Sequence, residues 1–241
     1  MKRIFVLSMN DLKNIRRDPM LLVIILGPIL LTFFFRFGLP VLDKLIYSYL
    51  SFNLLGYKEL IMGFIMLLVP FLVGILIGLL ILDEKDENLI IYYAVTPLAK
   101  QGYLYYRLAV PVVLSFALSI FMWTFSGFIE LNVIKLLPLA LLTALEAPLI
   151  SLSMAVFASN KVEGLAIAKG GGVILTVPFI VYFVSSNWIW GGLVIPTFWV
   201  SHAFFSSFSS ILLYSMFVIG GITIHLLFIQ WLLVRFRRRV F

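Results

Sequence analysis

Two ionisable residues stand where everything around them is apolar. Glu146 lies in "LPLALLTALEAPLISLSMAVFA" and His225 in "ILLYSMFVIGGITIHLLFIQWLLV". A carboxylate within such a run costs several kcal/mol unless it is protonated, paired or facing water. Glu146 is therefore either a contact for a cationic substrate in a passage, or a protonated, hydrogen-bonded structural acid. His225 either faces the same passage or is a satisfied packing histidine. Pro148, two residues beyond the acid, removes a donor and leaves one carbonyl of the helix without its partner. A third outlier is "LILDEKDENLIIYYAVTPLAKQGYLYYRLAV", residues 80–110, where five charged residues run consecutively from Asp83 to Glu87.

Sequence signatures of catalysis are missing. The two histidines, His202 and His225, are far apart and neither belongs to an H-E-x-x-H pair. No G-x-S-x-G or G-x-x-x-x-G-K-[ST] occurs, and Lys169-Gly170-Gly171-Gly172 carries its lysine before the glycines. The expectation is a chain with no catalytic residues, no metal and no cofactor of its own. With no cysteine, disulfides and thiolate metal sites are excluded.

The elements that hold these residues follow from composition. Of 241 residues, 63% are apolar and only 12% charged, with a mean hydropathy of +1.13. A soluble domain carries roughly 25% charged residues, so this chain belongs in a bilayer. Runs of about 20 apolar residues span the hydrocarbon as helices, which satisfy their own backbone groups. The fold class expected is all-α integral membrane, one transmembrane domain over residues 1–241 with six spans. These are Met20 to Gly38, Leu60 to Leu82, Leu104 to Phe128, Leu136 to Ala158, Gly171 to Ser185 and Ile211 to Val234. Glu146 then falls near the midplane, about 16 Å into its span at 1.5 Å per residue.

Basic residues orient the spans. Lys2, Arg3, Lys13, Arg16 and Arg17 precede the first, and Arg235, Arg237, Arg238 and Arg239 follow the last, so both termini are expected in the cytoplasm of a multi-pass inner-membrane protein. The 18 basic residues are scattered between apolar runs, which reports orientation and gives no nucleic-acid site. An even span count leaves Ser186 to Ser210 as an outer connector, rich in Trp, Gly, Pro and Ser, that dips into or lies on the interface as one or two short helices. Residues 1–19 wind as an amphipathic helix on the inner surface, or form an ordinary positive flank; no cleaved signal peptide is read there. Arg36 and Arg107 lie toward span ends, where snorkelling accounts for them. Gly74 and Gly78 form a G-x-x-x-G that serves either packing inside the chain or a dimer seam.

The charged stretch leaves the second span and re-enters as the third, giving a cytoplasmic loop over residues 83–103. A hairpin closes with two to five residues, so the surplus needs a purpose. After the charges, "NLIIYYAV" is too apolar for a solvated linker and too short to span, and Thr96-Pro97 caps a further short helix through Leu98 to Tyr103. This is either a docking element for another protein or a segment resting on lipid headgroups.

Here the chain resembles the ABC-2 type transporter permeases, whose loop often reads "ExExGTLxxLLxTPxxxxxYLxxK". The match runs through Glu84, Glu87, Leu89, Tyr92, Thr96, Pro97, Tyr103, Leu104 and Arg107. The usual Gly-Thr is replaced by Glu87-Asn88. A second stretch, "NKVEGLAIAKG" at Asn160 to Gly170, is similar to the fourth-to-fifth loop of fluoroquinolone-export permeases. The resemblance implies that residues 83–103 hold a coupling helix docking into a nucleotide-binding ATPase subunit, with Asn160, Lys161 and Glu163 in a second cytoplasmic contact. ATP and Mg would sit on that partner, and a second permease copy or paralogue would complete the assembly. The implied function is export of hydrophobic or amphipathic small molecules, fluoroquinolone-type drugs among them. The alternatives are a haem- or lipid-linked exporter of the same kind, or a stand-alone channel or intramembrane enzyme.

Overall fold

The structure, a computed structural model, describes residues 16–17, 19–90 and 99–240. The expected N-terminal amphipathic helix falls almost wholly outside the described residues. Those described are helical nearly throughout. α1 (Pro19–Phe33) runs through a π-turn (Phe34–Gly38) into α2 (Leu39–Leu50). Then come α3 (Lys58–Asp86), α4 (Ala99–Ser126), α5 (Val133–Ala144), α6 (Glu146–Phe157), α7 (Lys161–Gly171), α8 (Val177–Phe183), α9 (Pro196–Ser206) and α10 (Ile211–Val240). Among the described residues, five stretches are long and apolar enough to cross a membrane: Leu54–Asp86, Gly102–Ser126, Val133–Phe157, Lys161–Phe183 and Ile211–Arg238.

The helix expected to end at Gly38 instead continues to Leu50. Pro40 has no N–H to offer the carbonyl four residues earlier, so the helix widens for one turn, with Leu39 N–H bonding Phe34 O. It stops at Ser51 in the left-handed conformation (φ 52°). At the π-turn, Arg36 Nη1 donates to the Phe125 carbonyl, and its guanidinium lies 4.6 Å from the Phe125 ring. That contact ties the π-turn after α1 to the C-terminal end of α4.

α3 is the central helix. It is buried along most of its length and packs on α1, α4, α6 and α7. Two apolar cores follow it. One, toward the charged end, joins Val73 to Leu82 with α6, Ile229, Leu232 and Phe236. The other joins Met62 to Val69 with Trp123, Leu139, Leu142, Val200 and Phe204. Gly74 and Gly78 face α6 inside the chain: a Cβ on Gly74 would lie 2.8 Å from the Ala147 carbonyl oxygen, and one on Gly78 2.6 Å from Met154 Sδ. These glycines serve helix packing within one molecule.

The charged stretch is less of a loop than expected. Asp83 to Asp86 form the last turn of α3, and Ala99 to Tyr103 already belong to α4. Tyr103 therefore sits in the long helix α4. The connection is 87–98, of which 91–98 lie outside the described residues. Asn88 turns the chain with φ 57°, a conformation that asparagine tolerates. Asn88 thus supplies the turn beside the position where related loops carry glycine.

The span expected over Gly171 to Ser185 begins earlier than the sequence suggested, near Lys161, and the expected loop from Asn160 to Gly170 is helical. Asn160 Oδ1 accepts from Glu163 N–H at 2.9 Å, and Glu163 Oε2 accepts from Ser159 N–H at 2.7 Å. This reciprocal cap starts α7. Between α8 and α10, the connector folds as a 3-10 stretch (Asn187–Val194) followed by α9. One face of α9 is buried, including Phe198, Val200 and Phe204.

Candidate functional site

Glu146 opens α6 just after the helix is interrupted at Leu145. Pro148 cannot donate to the carbonyl of Ala144, so α5 ends there and the acid enters a new first turn, where the helix dipole favours negative charge. The break expected from Pro148 is present, and it sits beside the acid itself. Glu146 is buried, at 3% exposure, and His225 is completely so.

Their side chains meet. His225 Nε2 lies 3.3 Å from Glu146 Oε1, and neither atom has a hydrogen-bond partner. The other ring nitrogen, Nδ1, is 2.7 Å from the Gly221 carbonyl, so Nδ1 must carry a proton to donate. Two glycines about one turn before His225 let α10 close on its neighbours: a Cβ on Gly220 would come within 2.3 Å of the Trp199 ring, and one on Gly221 within 2.9 Å of Leu142.

Beside this pair is a cavity of about 280 Å³. Phe71, Leu149, Ile150, Met154, Ile167, Ile174, Phe228 and Trp231 give it apolar walls, with Ser153 and Thr197 as neutral polar groups. Among the described residues, Glu146 is its one ionisable lining residue. Such a chamber suits an amphipathic cation: ring or alkyl surface against the walls, a positive group at the carboxylate. Ile195, Pro196 and Thr197 at the start of α9 close one side.

The second cluster lies where α3, α4 and α7 meet. Glu84 is buried and accepts from Tyr103 Oη at 2.8 Å and from Arg107 Nε at 3.0 Å; Arg107 Nη2 bonds the other carboxylate oxygen. This two-pronged contact is the strong form of an arginine–carboxylate pair. Arg107 is 3% exposed, which overturns the snorkelling expected of it: its guanidinium is turned inward to neutralise Glu84. Next to it Lys161 Nζ reaches Asp83 Oδ2 at 3.0 Å, and Lys85 Nζ donates to the Ala158 carbonyl at 2.9 Å. Gly164 lets α7 approach so closely that a Cβ would lie 2.3 Å from Leu82 Cδ1.

Of the residues that the resemblance marks for coupling, Glu84 and Tyr103 thus face inward. Glu87 is exposed, Leu89 is half-buried, Asn160 and Glu163 are exposed at the α7 cap, and Lys161 is in the ion pair with Asp83. Tyr92, Thr96 and Pro97 lie outside the described residues. Sequence reasoning missed Asp83, Lys85 and Arg107 as members of this cluster.

A family model described as "Fluoroquinolones export permease protein Rv2686c-like" matches residues 11–233. The chain belongs to this family. Two relatives from Mycobacterium tuberculosis, the fluoroquinolones export permease proteins of strains H37Rv and CDC 1551 / Oshkosh, are each 28% identical over 233 residues, covering 95% of this chain and 92% of theirs. No solved structure matches it. The expected likeness to fluoroquinolone-export permeases is therefore borne out, and the several apolar helices make this Rv2686c-like permease a multi-pass membrane protein.

Proposed function

We propose that this chain is the membrane subunit of an ABC-2 type exporter that moves amphipathic, cationic small molecules out of the cell. The observation that carries the reading is the apolar cavity with Glu146 as its one ionisable lining residue, in a chain whose relatives are named for fluoroquinolone export. Drugs of that kind are the proposed substrates. The chain acts without an ATPase site of its own; ATP and Mg are handled by separate nucleotide-binding subunits, and a second permease copy or paralogue completes the path.

The proposed topology has six spans with both termini in the cytoplasm of the inner membrane. Residues 19–50 supply the first span, and residues 1–19 lie along the inner surface as an amphipathic helix. The outer connector re-enters the membrane. Supporting this, Pro196 at the start of α9 lines the same cavity as Glu146, halfway along Val133–Phe157, whereas the end of α9 leads by a short turn to the start of α10.

Energy enters through the 87–98 connection. Glu87, Leu89, Tyr92, Thr96 and Pro97 form the docking surface, with Asn160 and Glu163 as its neighbours. Glu84, Tyr103, Arg107, Asp83 and Lys161 bind α3, α4 and α7 into one block, so a push on the connection shifts all three helices together. In membrane vesicles carrying the assembled exporter, Glu87→Ala and Pro97→Ala should leave ATP hydrolysis running while transport falls at least severalfold. Unchanged transport in both variants would sink this assignment.

A further inference from the structure

A second cleft, of about 490 Å³, opens at the end of α3 opposite the charged turn Asp83 to Asp86. Arg36 of the π-turn, Lys58 at the start of α3, and Asn53, Ser126 and Gly127 line it. Among the described residues, that lining holds two cations and no acid. Neither cation forms an ion pair with a described residue. Arg36 Nη1 donates to the Phe125 carbonyl, which leaves the rest of its fork to donate elsewhere. Asp43, the acid nearest along the chain to Arg36, accepts instead from Leu55 N–H at 3.0 Å. Glu59 follows Lys58 on the helix and does not line the cleft. Asn53 Oδ1 accepts from Gly56 N–H at 2.9 Å, so its amide nitrogen is left as a donor.

The cleft also has a definite depth. Lys58 and Asp83 are 25 residues apart on α3, about 37 Å at 1.5 Å per residue. The hydrocarbon is about 30 Å thick, so with Asp83 at one membrane surface the cleft lies among the headgroups of the other. Beside Arg36, the exposed side chains of Leu26, Leu30, Phe33 and Phe37 follow one another at spacings of four, three and four residues, which places them on one helix face. That stripe is about 16 Å long, half the hydrocarbon thickness, and the Arg36 guanidinium lies 5.6 Å from the Phe37 ring.

We propose that this cleft binds the phosphate of an anionic phospholipid, with one acyl chain lying along the stripe from Leu26 to Phe37. The arginine fork meets two phosphate oxygens, and the lysine adds a point charge. Basic pockets between membrane helices take anionic headgroups in this way. Two cations without an acid suit a headgroup that adds no positive charge of its own, as in phosphatidylglycerol. A choline headgroup would bring its cation against Lys58. Bound there, the lipid bridges the π-turn and the first turn of α3. The site is separate from the Glu146 chamber and does not depend on what that chamber carries.

The test is native mass spectrometry of the whole chain in mild detergent, titrated with phosphatidylglycerol or with phosphatidylcholine of the same acyl chains. Glycerol 3-phosphate serves as a phosphate without chains. The wild type should take its first phosphatidylglycerol about tenfold more tightly than phosphatidylcholine. Lys58→Gln should weaken phosphatidylglycerol binding about fivefold, and Arg36→Gln combined with it about tenfold or more. Lys44→Gln removes an exposed cation of α2 outside the cleft and should bind as the wild type does. Arg36 also holds the π-turn to α4, so Lys58→Gln decides the matter if the double variant fails to fold. Equal affinity of the wild type for the two lipids, or an undiminished preference in Lys58→Gln, would overturn the site. So would an equal loss in Lys44→Gln, which would reduce the effect to net charge. Displacement of the lipid by an equal concentration of glycerol 3-phosphate would overturn the lipid assignment and leave a site for soluble phosphates.

Discussion

Arg107→Ala is expected to destabilise the folded chain by about 3–5 kcal/mol, because it leaves the buried Glu84 carboxylate without its cation. Glu84 accepts from Tyr103 as well, but a phenol cannot neutralise it. Arg107→Lys should recover part of the loss: a lysine restores the charge and not the planar fork that meets both oxygens. Replacing both partners, Glu84→Gln with Arg107→Met, should recover most of it, since a buried pair removed as a unit is often close to neutral. Thermal unfolding in detergent reads all three, with a large fall in Tm for the alanine variant alone. The double variant then separates stability from coupling: it should fold, yet transmit less of the ATPase stroke than the wild type. An alanine variant that unfolds with the wild type would show that the cluster does not hold α3 to α4.

Glu146→Gln is the second large effect, expected in flux. The glutamine has the same shape and offers a donor toward His225, so folding should be little changed. A charge-assisted contact to a cationic substrate is worth about 1.5–3 kcal/mol, which at 1.4 kcal/mol per tenfold corresponds to a loss of tenfold or more in affinity. Transport of a cationic fluoroquinolone at low concentration should fall accordingly. An uncharged hydrophobic substrate, where one is carried, should be much less affected. Wild-type flux of the cation in this variant would argue that Glu146 is a structural acid and nothing more.

How much of this was legible in the residues differs from element to element. The apolar runs of about 20 residues pointed to the all-helical membrane class, since runs of that length span as helices that satisfy their own backbone groups in lipid. Glu146 and His225 each stood out as costly residues at depth. Their pairing did not, because they come from spans 79 residues apart and no local period links them. Arg107 was misjudged for a related reason: a cation at a span end normally reaches for water, and only the fold reveals Glu84 opposite it. The extension of the first helix to Leu50 turns on a π-turn at Phe34–Gly38, a response to Pro40 that hydropathy cannot register. The early start of the fifth span did leave a signal, Asn160 followed by Glu163 at capping-box spacing. The charges of Lys161, Glu163 and Lys169 obscured it by resembling a polar loop.

The account stands or falls on whether this permease works with a separate ATPase. The measurement that tests it most directly is a mild-detergent pull-down of the chain from its native membrane, with the copurifying proteins identified by mass spectrometry. The expected result is a stoichiometric ATPase subunit carrying a G-x-x-x-x-G-K-[ST] motif, lost when Glu87 and its neighbours in the 87–98 connection are replaced. A folded, monodisperse permease that brings down no ATPase would contradict the account and leave a stand-alone membrane protein with a cation-accepting chamber.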